Sequence, residues 1–385
     1  MQKLAIYTPN LGALSETFVK KHIENILPGN TAVIAGSNER PRYGHWSVDA
    51  PTYLLRNRHS ITLSGREKIW ITLLRKLGLR PLNDVYYNKH LLDFLKQNNV
   101  KVIMGEYLHY STTVIDLAKK LNIKLFAHAH GYDVSQLIRQ PFWRREYLRL
   151  NNIDGIITVS EYSKEVLIKS GIKKELIHVI PCGISLPPYV DKVNDGKFIK
   201  CIAVGRMVPK KGPLLLLESF RLASQKNDLL KLDFIGTGAL YDKAVEYVKD
   251  HKLEDNVKMY GSQQHDVVIN MMKEADIFLQ HSITPADTGD QEGLPVAVLE
   301  GMAYCLPVVS TFHAGIPEAV KNNESGFLVK EGDTEAMAEA ILKLAQDENL
   351  RINMGKAGRE IIEKRFTWDI EKSSLLKLLN KENDI

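Results

Sequence analysis

Two glutamates with seven residues between them bound the segment Glu292-Gly293-Leu294-Pro295-Val296-Ala297-Val298-Leu299-Glu300. The apolar residues behind Glu292 predict a helix from Leu294 to Ala303, with Glu292 in the loop before it and the amides of Gly293 and Leu294 open at its start. Helix starts attract anions and polar oxygens. Glu300, about two turns in, could accept both hydroxyl protons of a ribose diol. In isolation, two glutamates flanking a packed helix for solubility would look the same. Upstream, Gly205-Arg206-Met207-Val208-Pro209-Lys210-Lys211-Gly212 follows a short apolar run and precedes a second helical stretch, where doubly wound sheets place their ligands. Arg206 and Lys211 there could hold an anion, and a solvated basic turn is the plainer alternative. His128-Ala129-His130-Gly131-Tyr132-Asp133 carries two histidines one residue apart. No cluster of Cys, Asp or His completes a metal shell around them, so no metal is expected. His128 reads as structural, and a satisfied buried imidazole is the alternative for His130.

These residues need a scaffold that brings loop ends together. Short β-branched runs alternate with helical stretches along the whole chain, the pattern of parallel α/β layers. Strands are predicted at residues 4–8, 32–35, 101–105, 124–127, 155–159 and 177–180, with helices over 15–27, 112–121 and 162–169. Ser15 is placed to cap the first helix. Residues 36–60 show little periodicity and read as loop. Pro181 to Gly196 is dense in Pro, Gly and Asp and breaks the pattern. Beyond it, strands are predicted at 199–204, 231–235, 257–260, 277–280 and 308–310, with helices at 213–224, 240–249, 267–274 and 294–303 and two more before the end. The expected architecture is two αβα domains facing across a cleft: 1–184, a linker 185–197, 198–365, and a closing helix 366–385.

The motifs together resemble those of retaining nucleotide-sugar glycosyltransferases of family 4, which have the GT-B fold of two Rossmann-like domains. Glu292 to Glu300 is similar to the family's E-x7-E element, and Gly205 to Gly212 to its G-R-x-x-x-x-K-G element. His130 to Asp133 matches H-G-x-D, and Ser15-Glu16-Thr17-Phe18 the S-E-T-F variant of members that assemble bacterial surface polysaccharides. The resemblance implies that Glu292, Gly293 and Leu294 meet the donor sugar and diphosphate, and that Glu300 holds the ribose. It implies that Arg206 and Lys211 neutralise the departing diphosphate, and that His130 points at the donor sugar. Gly12 and Gly205 would let backbone approach the donor, and Gly236, Gly238 and Ser262 lie where relatives hold the base. Ser15, Glu16, Thr17 and Asp133 fall on the acceptor side, although Glu16 could equally cap a helix. The loop 283–290 resembles the same subgroup. Gly315-Ile316-Pro317-Glu318 and Gly326-Phe327-Leu328-Val329 read as packing spacers. Cys182 departs from the frequent P-N-G, and residues 36–100 match nothing in the family. The helix from Phe366 would cross back onto the first domain.

Composition is that of an average soluble globular chain, and 385 residues, 44% hydrophobic and 25% charged, exceed what one core usually organises. No apolar run approaches the roughly 18 to 20 residues that span a bilayer, and the first nine residues are too short in apolar length for a secretory signal. The three cysteines suggest neither a disulfide framework nor zinc. Charge is uneven: residues 1–184 hold 26 Lys and Arg against 15 Asp and Glu, and residues 185–385 hold 25 against 31. The excess gathers between Arg56 and Arg80, and at Arg139, Arg144, Arg145 and Arg149 around Phe142 and Trp143. Such basic amphipathic segments suit an anionic membrane surface, with a solvated helix face as the equal alternative. No nucleic-acid motif accompanies them.

The sequence therefore predicts a retaining hexosyltransferase, cytoplasmic or peripheral on the cytoplasmic face of the inner membrane. It would move a hexosyl unit from a nucleoside-diphosphate sugar, UDP slightly favoured over GDP, to a hydroxyl of a lipid-linked bacterial polysaccharide precursor. No cofactor is expected. The rivals are a nucleotide-sugar epimerase on the same fold and a noncatalytic nucleotide-sugar sensor or scaffold.

Overall fold

A computed structural model describes residues 3–12, 16–36, 46–55, 73, 88–189 and 197–380. The chain forms two compact units, one of Met1–Ile180 with Lys372–Ile385 and the other of Pro181–Glu371.

The first unit is built on a seven-stranded sheet: β1 (Lys3–Thr8), β2 (Thr31–Ala35), β3 (Thr52–Leu54), β4 (Val100–Glu106), β5 (Lys124–Ala129), β6 (Gly155–Thr158) and β7 (Ile177–Val179). Its spatial order is β3-β2-β1-β4-β5-β6-β7, and every pairing is parallel. Helices Thr17–Asn25, Asn88–Gln97, Ile115–Leu121 and Glu161–Lys169 supply the crossovers. All five residues of β2 are buried, as parallel strands covered on both faces require. The order reverses between β1 and β4, so the chain leaves these two strands in opposite directions and opens a crevice beyond their carboxyl ends.

The second unit repeats the plan with β8 (Ile199–Val204), β9 (Leu230–Ile235), β10 (Val257–Gly261), β11 (Ile277–Leu279), β12 (Val308–Thr311) and β13 (Gly326–Val329), in the order β10-β9-β8-β11-β12-β13. Its switch point lies between β8 and β11. Leu216, Leu217 and Phe220 of helix Pro213–Ser224 and Met337, Ile341 and Leu344 of helix Thr334–Gln346 pack in its core. The stretch after Pro181 joins the end of the unit: Ile184 N–H donates to Phe366 O (2.9 Å), and Gly183 N–H to Glu371 Oε2 (2.7 Å).

Several elements differ from expectation. Thr52–Leu54, inside the stretch expected as loop, is a parallel edge strand on β2; three half-exposed residues are too few to show a period. Gly326–Val329 is a sheet strand rather than a spacer, and a Cβ at Gly326 would lie 2.1 Å from Val308 O. Asn88–Gln97 is a helix in a stretch where the sequence alone offered no recognisable motif. The first helix begins at Thr17, and the helix after Glu292 begins at Val296 because Pro295 holds the extended N-cap position. Three helices, Thr334–Gln346, Glu348–Arg365 and Trp368–Leu379, close the chain rather than two. Ser15, the basic segment 56–80 apart from Leu73, and residues 190–196 of the expected linker lie outside the described residues.

Candidate active site

In the second unit the expected residues gather where the strands end. Gly205, Arg206 and Lys211 follow β8, Gly236 and Gly238 follow β9, Ser262 follows β10, and Glu292 lies in the long loop after β11. Two glycines let these loops close on one another. A Cβ at Gly236, whose φ is +138°, would fall 1.9 Å from Gly205 O, and one at Gly212, φ +50°, would fall 2.2 Å from His281 O. Both positions combine a positive φ with a backbone contact that a side chain would destroy.

Glu292 is the electrostatic centre of this cluster. Lys211 Nζ lies 3.3 Å from its Oε2, and Lys210 Nζ 3.8 Å from its Oε1 and 3.1 Å from Asp290 Oδ1. Burial raises the Glu292 carboxyl, but the two lysines outweigh it and hold the group down at about 2. Lys211 is pulled below the usual lysine range, by burial first, with Glu292 opposing. Lys210, unmarked in the sequence reading, is more buried than Lys211. Arg206 is exposed.

A second network fixes the loop that carries Glu292. Its backbone N–H donates to His313 Nε2 at 3.1 Å, and His313 Nδ1 lies 2.6 Å from Glu331 Oε1. Because Nε2 accepts, the neutral ring carries its proton on Nδ1 and donates to Glu331. Glu331 Oε2 accepts from Thr284 N–H (2.7 Å), and Gln291 Nε2 donates to Thr284 Oγ1 (3.0 Å). Neither His313 nor Glu331 was singled out in the sequence; only their nearness to the G-I-P-E segment and to β13 could have hinted at them. Gly293 and Leu294 lie before the N-cap of their helix rather than in its first turn. Glu300 lies within that helix, with His265 Nε2 3.9 Å from its Oε1.

In the first unit, Gly12 (φ +105°) and Glu16 follow β1, Glu106 ends β4, and His130 and Asp133 follow β5. Glu16 occupies the N-cap position without a side-chain cap bond; instead its Oε1 accepts from Tyr107 Oη at 2.8 Å. Thr17 is exposed. His130 is 9% exposed, with its ring centroid 4.6 Å from that of Phe18 and 4.7 Å from that of Tyr107. Its Nε2 lies 2.9 Å from Glu106 Oε2. Burial lowers His130 to about 4, so the imidazole is neutral near pH 7. Asp133, expected on the acceptor side, is instead fully buried, and its two oxygens accept from His130 N–H (2.7 Å) and Leu108 N–H (2.6 Å). It ties the end of β5 to the loop after β4.

Glu106 is the residue the sequence reading missed most completely. Fully buried, it meets His22 Nδ1 (2.6 Å), His130 Nε2 (2.9 Å) and His128 Nδ1 (3.1 Å). Burial alone would raise its carboxyl, but the imidazoles hold it well below the usual carboxylate range. The sequence pointed to no cluster around His128; the fold places His22 and Glu106 beside it. No spacing signal could have found them, since they are far apart in sequence.

Residues 190–361 match the family model described as glycosyl transferases group 1, and residues 55–186 the model described as glycosyltransferase family 4. The amylovoran biosynthesis glycosyltransferase AmsK of Erwinia amylovora is 29% identical, over 98% of this chain and 99% of its own. WcaL of Escherichia coli K12, a glycosyltransferase assigned to colanic acid biosynthesis, is 30% identical over 87% of this chain and 85% of its own. Among solved structures, Anabaena Alr3699/HepE in complex with UDP and glucose superposes with a TM-score of 0.76 at 16% identity, over 99% of this chain and all (100%) of its own. Among the described residues, no helix is long and apolar enough to cross a membrane.

Proposed function

The chain belongs to the glycosyltransferases of group 1 and family 4, with the GT-B fold, and from that premise we propose that it is a retaining hexosyltransferase of bacterial surface-polysaccharide assembly. The observation that carries this reading is the Lys211–Glu292 pair at the switch point of the second sheet. Paired cation and carboxylate at the mouth of such a sheet suit a ligand with an anionic leaving group and a hydroxyl-rich part.

In the proposed reaction the donor diphosphate lies against Lys211 and Arg206, whose charge stabilises it as the anomeric carbon–oxygen bond breaks. The acceptor hydroxyl attacks from the same face, and its proton passes to the leaving diphosphate. Lys211 can turn to the phosphates while Glu292 keeps Lys210, so the carboxylate stays compensated and available to a sugar hydroxyl. The amides of Gly293 and Leu294 add donors beside it, and Glu300 takes the ribose diol. Gly205, Gly236, Gly238 and Ser262 shape the nucleotide side. His130, neutral and held by Glu106, faces chemistry as an imidazole rather than an imidazolium. Gly12 lets backbone approach the diphosphate, and Glu16 and Thr17 line the acceptor side. The diphosphate's charge is assigned to these side chains and not to a metal ion.

UDP is the favoured nucleotide, which the UDP bound by HepE supports. A lipid-linked glycan is the proposed acceptor; the names of AmsK and WcaL assign those relatives to amylovoran and colanic acid biosynthesis. Exposed Arg139, Arg144 and Arg145 beside partly buried Phe142 and Trp143 support seating on an anionic cytoplasmic membrane face. A panel of UDP- and GDP-hexoses, followed by thermal shift and nucleotide release, tests the reading. One responsive donor, with its signal lost in Lys211→Ala, is expected; silence of all donors by both thermal shift and calorimetry would overturn it.

A further inference from the structure

We propose that the first unit carries an aromatic platform for the acceptor glycan, formed by Tyr107, His109, Tyr132 and Trp143 and leading from Glu16 to the basic helix Pro141–Tyr147. The proposal rests on the reading of the chain as a glycosyltransferase, and it names what holds the sugar chain behind the reacting hydroxyl. The ligand class is an oligosaccharide of neutral hexoses whose far end is joined to a lipid through phosphate.

The platform starts at a strained residue. Tyr107 follows β4, at the switch point of the first sheet, with φ +73° and ψ +133°, a conformation that side chains rarely adopt. Such strain persists only where its surroundings impose it, and it gathers at binding sites. Here the Tyr107 N–H donates to His128 O (2.8 Å), and its carbonyl accepts from Ser111 N–H (3.2 Å) and Ser111 Oγ (3.1 Å). So held, the side chain donates its hydroxyl to Glu16 Oε1 at 2.8 Å, on the loop after β1. A phenol beside a carboxylate offers the acceptors and the donor that sugar hydroxyls need.

From Tyr107 the rings continue outward. The His109 centroid lies 5.8 Å from that of Tyr107, 6.3 Å from that of Tyr132 and 5.6 Å from that of Trp143. Tyr110 backs it at 4.4 Å and rests in turn on Tyr7 of β1 at 5.6 Å. Tyr132 and Trp143 meet His109 nearly edge-on, at 75° and 70°, rather than stacking flat, and Tyr132 is left 41% exposed. Burial lowers His109 to about 4, so its ring is neutral near pH 7. Its Nδ1, closed from solvent, has no hydrogen-bond partner among the described residues. Rings that served interior packing alone would hide Tyr132 and satisfy that nitrogen; a small turn of the imidazole would offer it to a sugar hydroxyl. The negative faces of aromatic rings suit the weakly positive C–H groups on the flat side of a pyranose. Trp143 belongs to the helix whose Arg144 and Arg145 are exposed, so cations stand where the platform ends. A carboxylate at one end and arginines at the other fit a neutral sugar chain with a phosphate tail. An anionic bilayer laid along the whole row would meet Glu16 as a like charge.

The test is saturation-transfer NMR on the full chain, with UDP present to fill the donor site and neutral trisaccharides of glucose, galactose, mannose and fucose as probes. Irradiating the aromatic protons is expected to mark the ring C–H protons of at least one trisaccharide. Tyr132→Ala should cut that signal about fivefold, and Tyr132→Phe, which keeps the ring, should retain it. Both variants should keep the thermal-shift response to UDP, which also reports that they fold. A protein that answers to UDP but transfers magnetisation to none of the trisaccharides would overturn this proposal and leave the glycosyltransferase reading standing. An undiminished signal in Tyr132→Ala would overturn it too, as would a variant that loses only its binding to phosphatidylglycerol vesicles, the mark of a membrane surface. Silence toward UDP with the trisaccharide signal present and lost in Tyr132→Ala would support the sugar platform and count against the donor assignment instead.

Discussion

The backbone N–H of Glu292 is held by His313 Nε2 at 3.1 Å, across 21 residues of sequence. His313 is itself oriented by Glu331. The loop that carries Glu292 is thus held at its backbone by a histidine that Glu331 orients.

His313→Ala should leave the Glu292 amide and Glu331 without their partner. A buried bond of this kind contributes about 1 to 2 kcal/mol, so donor affinity should weaken roughly tenfold, read by calorimetry. Glu331→Gln keeps an acceptor for Thr284 N–H and should cost less. Equal donor affinity in His313→Ala and the unmutated protein would show that the loop is held by other contacts.

Lys211→Ala removes the cation nearest Glu292. If it stabilises the leaving diphosphate, turnover should drop about 10²- to 10³-fold. Glu300→Gln should raise the donor dissociation constant with turnover little changed. Both variants keeping the original steady-state kinetics would sink the assignment of these roles.

Acid should weaken the fold in two stages. Burial lowers His109 and His281 to about 4, from an ordinary 6.5. Unfolded chains bind these protons first, so stability is full above pH 6.5 and falls as pH drops toward 4, by up to about 1.4 kcal/mol per pH unit for each group. Glu292, depressed to about 2 from 4.5, contributes stability above pH 4.5 that is lost between 4.5 and 2. Urea titrations at pH 7 and pH 5 should differ, and the difference should shrink in His281→Leu.

Asp133→Asn should cost about 1 to 3 kcal/mol of stability. Its two oxygens accept two backbone N–H groups, and an amide would turn a donor against one of them. Denaturant midpoints measure this directly; a midpoint unchanged within error would mean that a backbone shift absorbs the substitution.

Much of the scaffold was readable because parallel strands covered on both faces are short continuous apolar runs, as in Thr31–Ala35 and Ile277–Leu279. Thr52–Leu54 escaped because an edge strand of three residues, half exposed, carries no pattern. Glu292, Lys211 and His130 were readable because each stands in a motif of fixed local spacing. Lys210 was passed over beside Lys211, since adjacent residues of one type are indistinguishable until burial separates them.

By itself, the sequence determined the parallel α/β layers, the loops that bear the charged residues and the family to which the chain belongs. All of these rest on short-range order: periodicity, turn residues and motif spacing act over a few residues. Only the tertiary structure decided that Glu106 meets His22, His128 and His130, that His313 and Glu331 hold the Glu292 loop, and that Asp133 is an internal tie and not a surface group. Those contacts depend on strand register, on helix Thr17–Asn25 packing over one face of a sheet, and on crossovers that bring residues 84 and 24 positions apart within hydrogen-bonding distance. Their energy is set by burial, which no single residue's identity encodes.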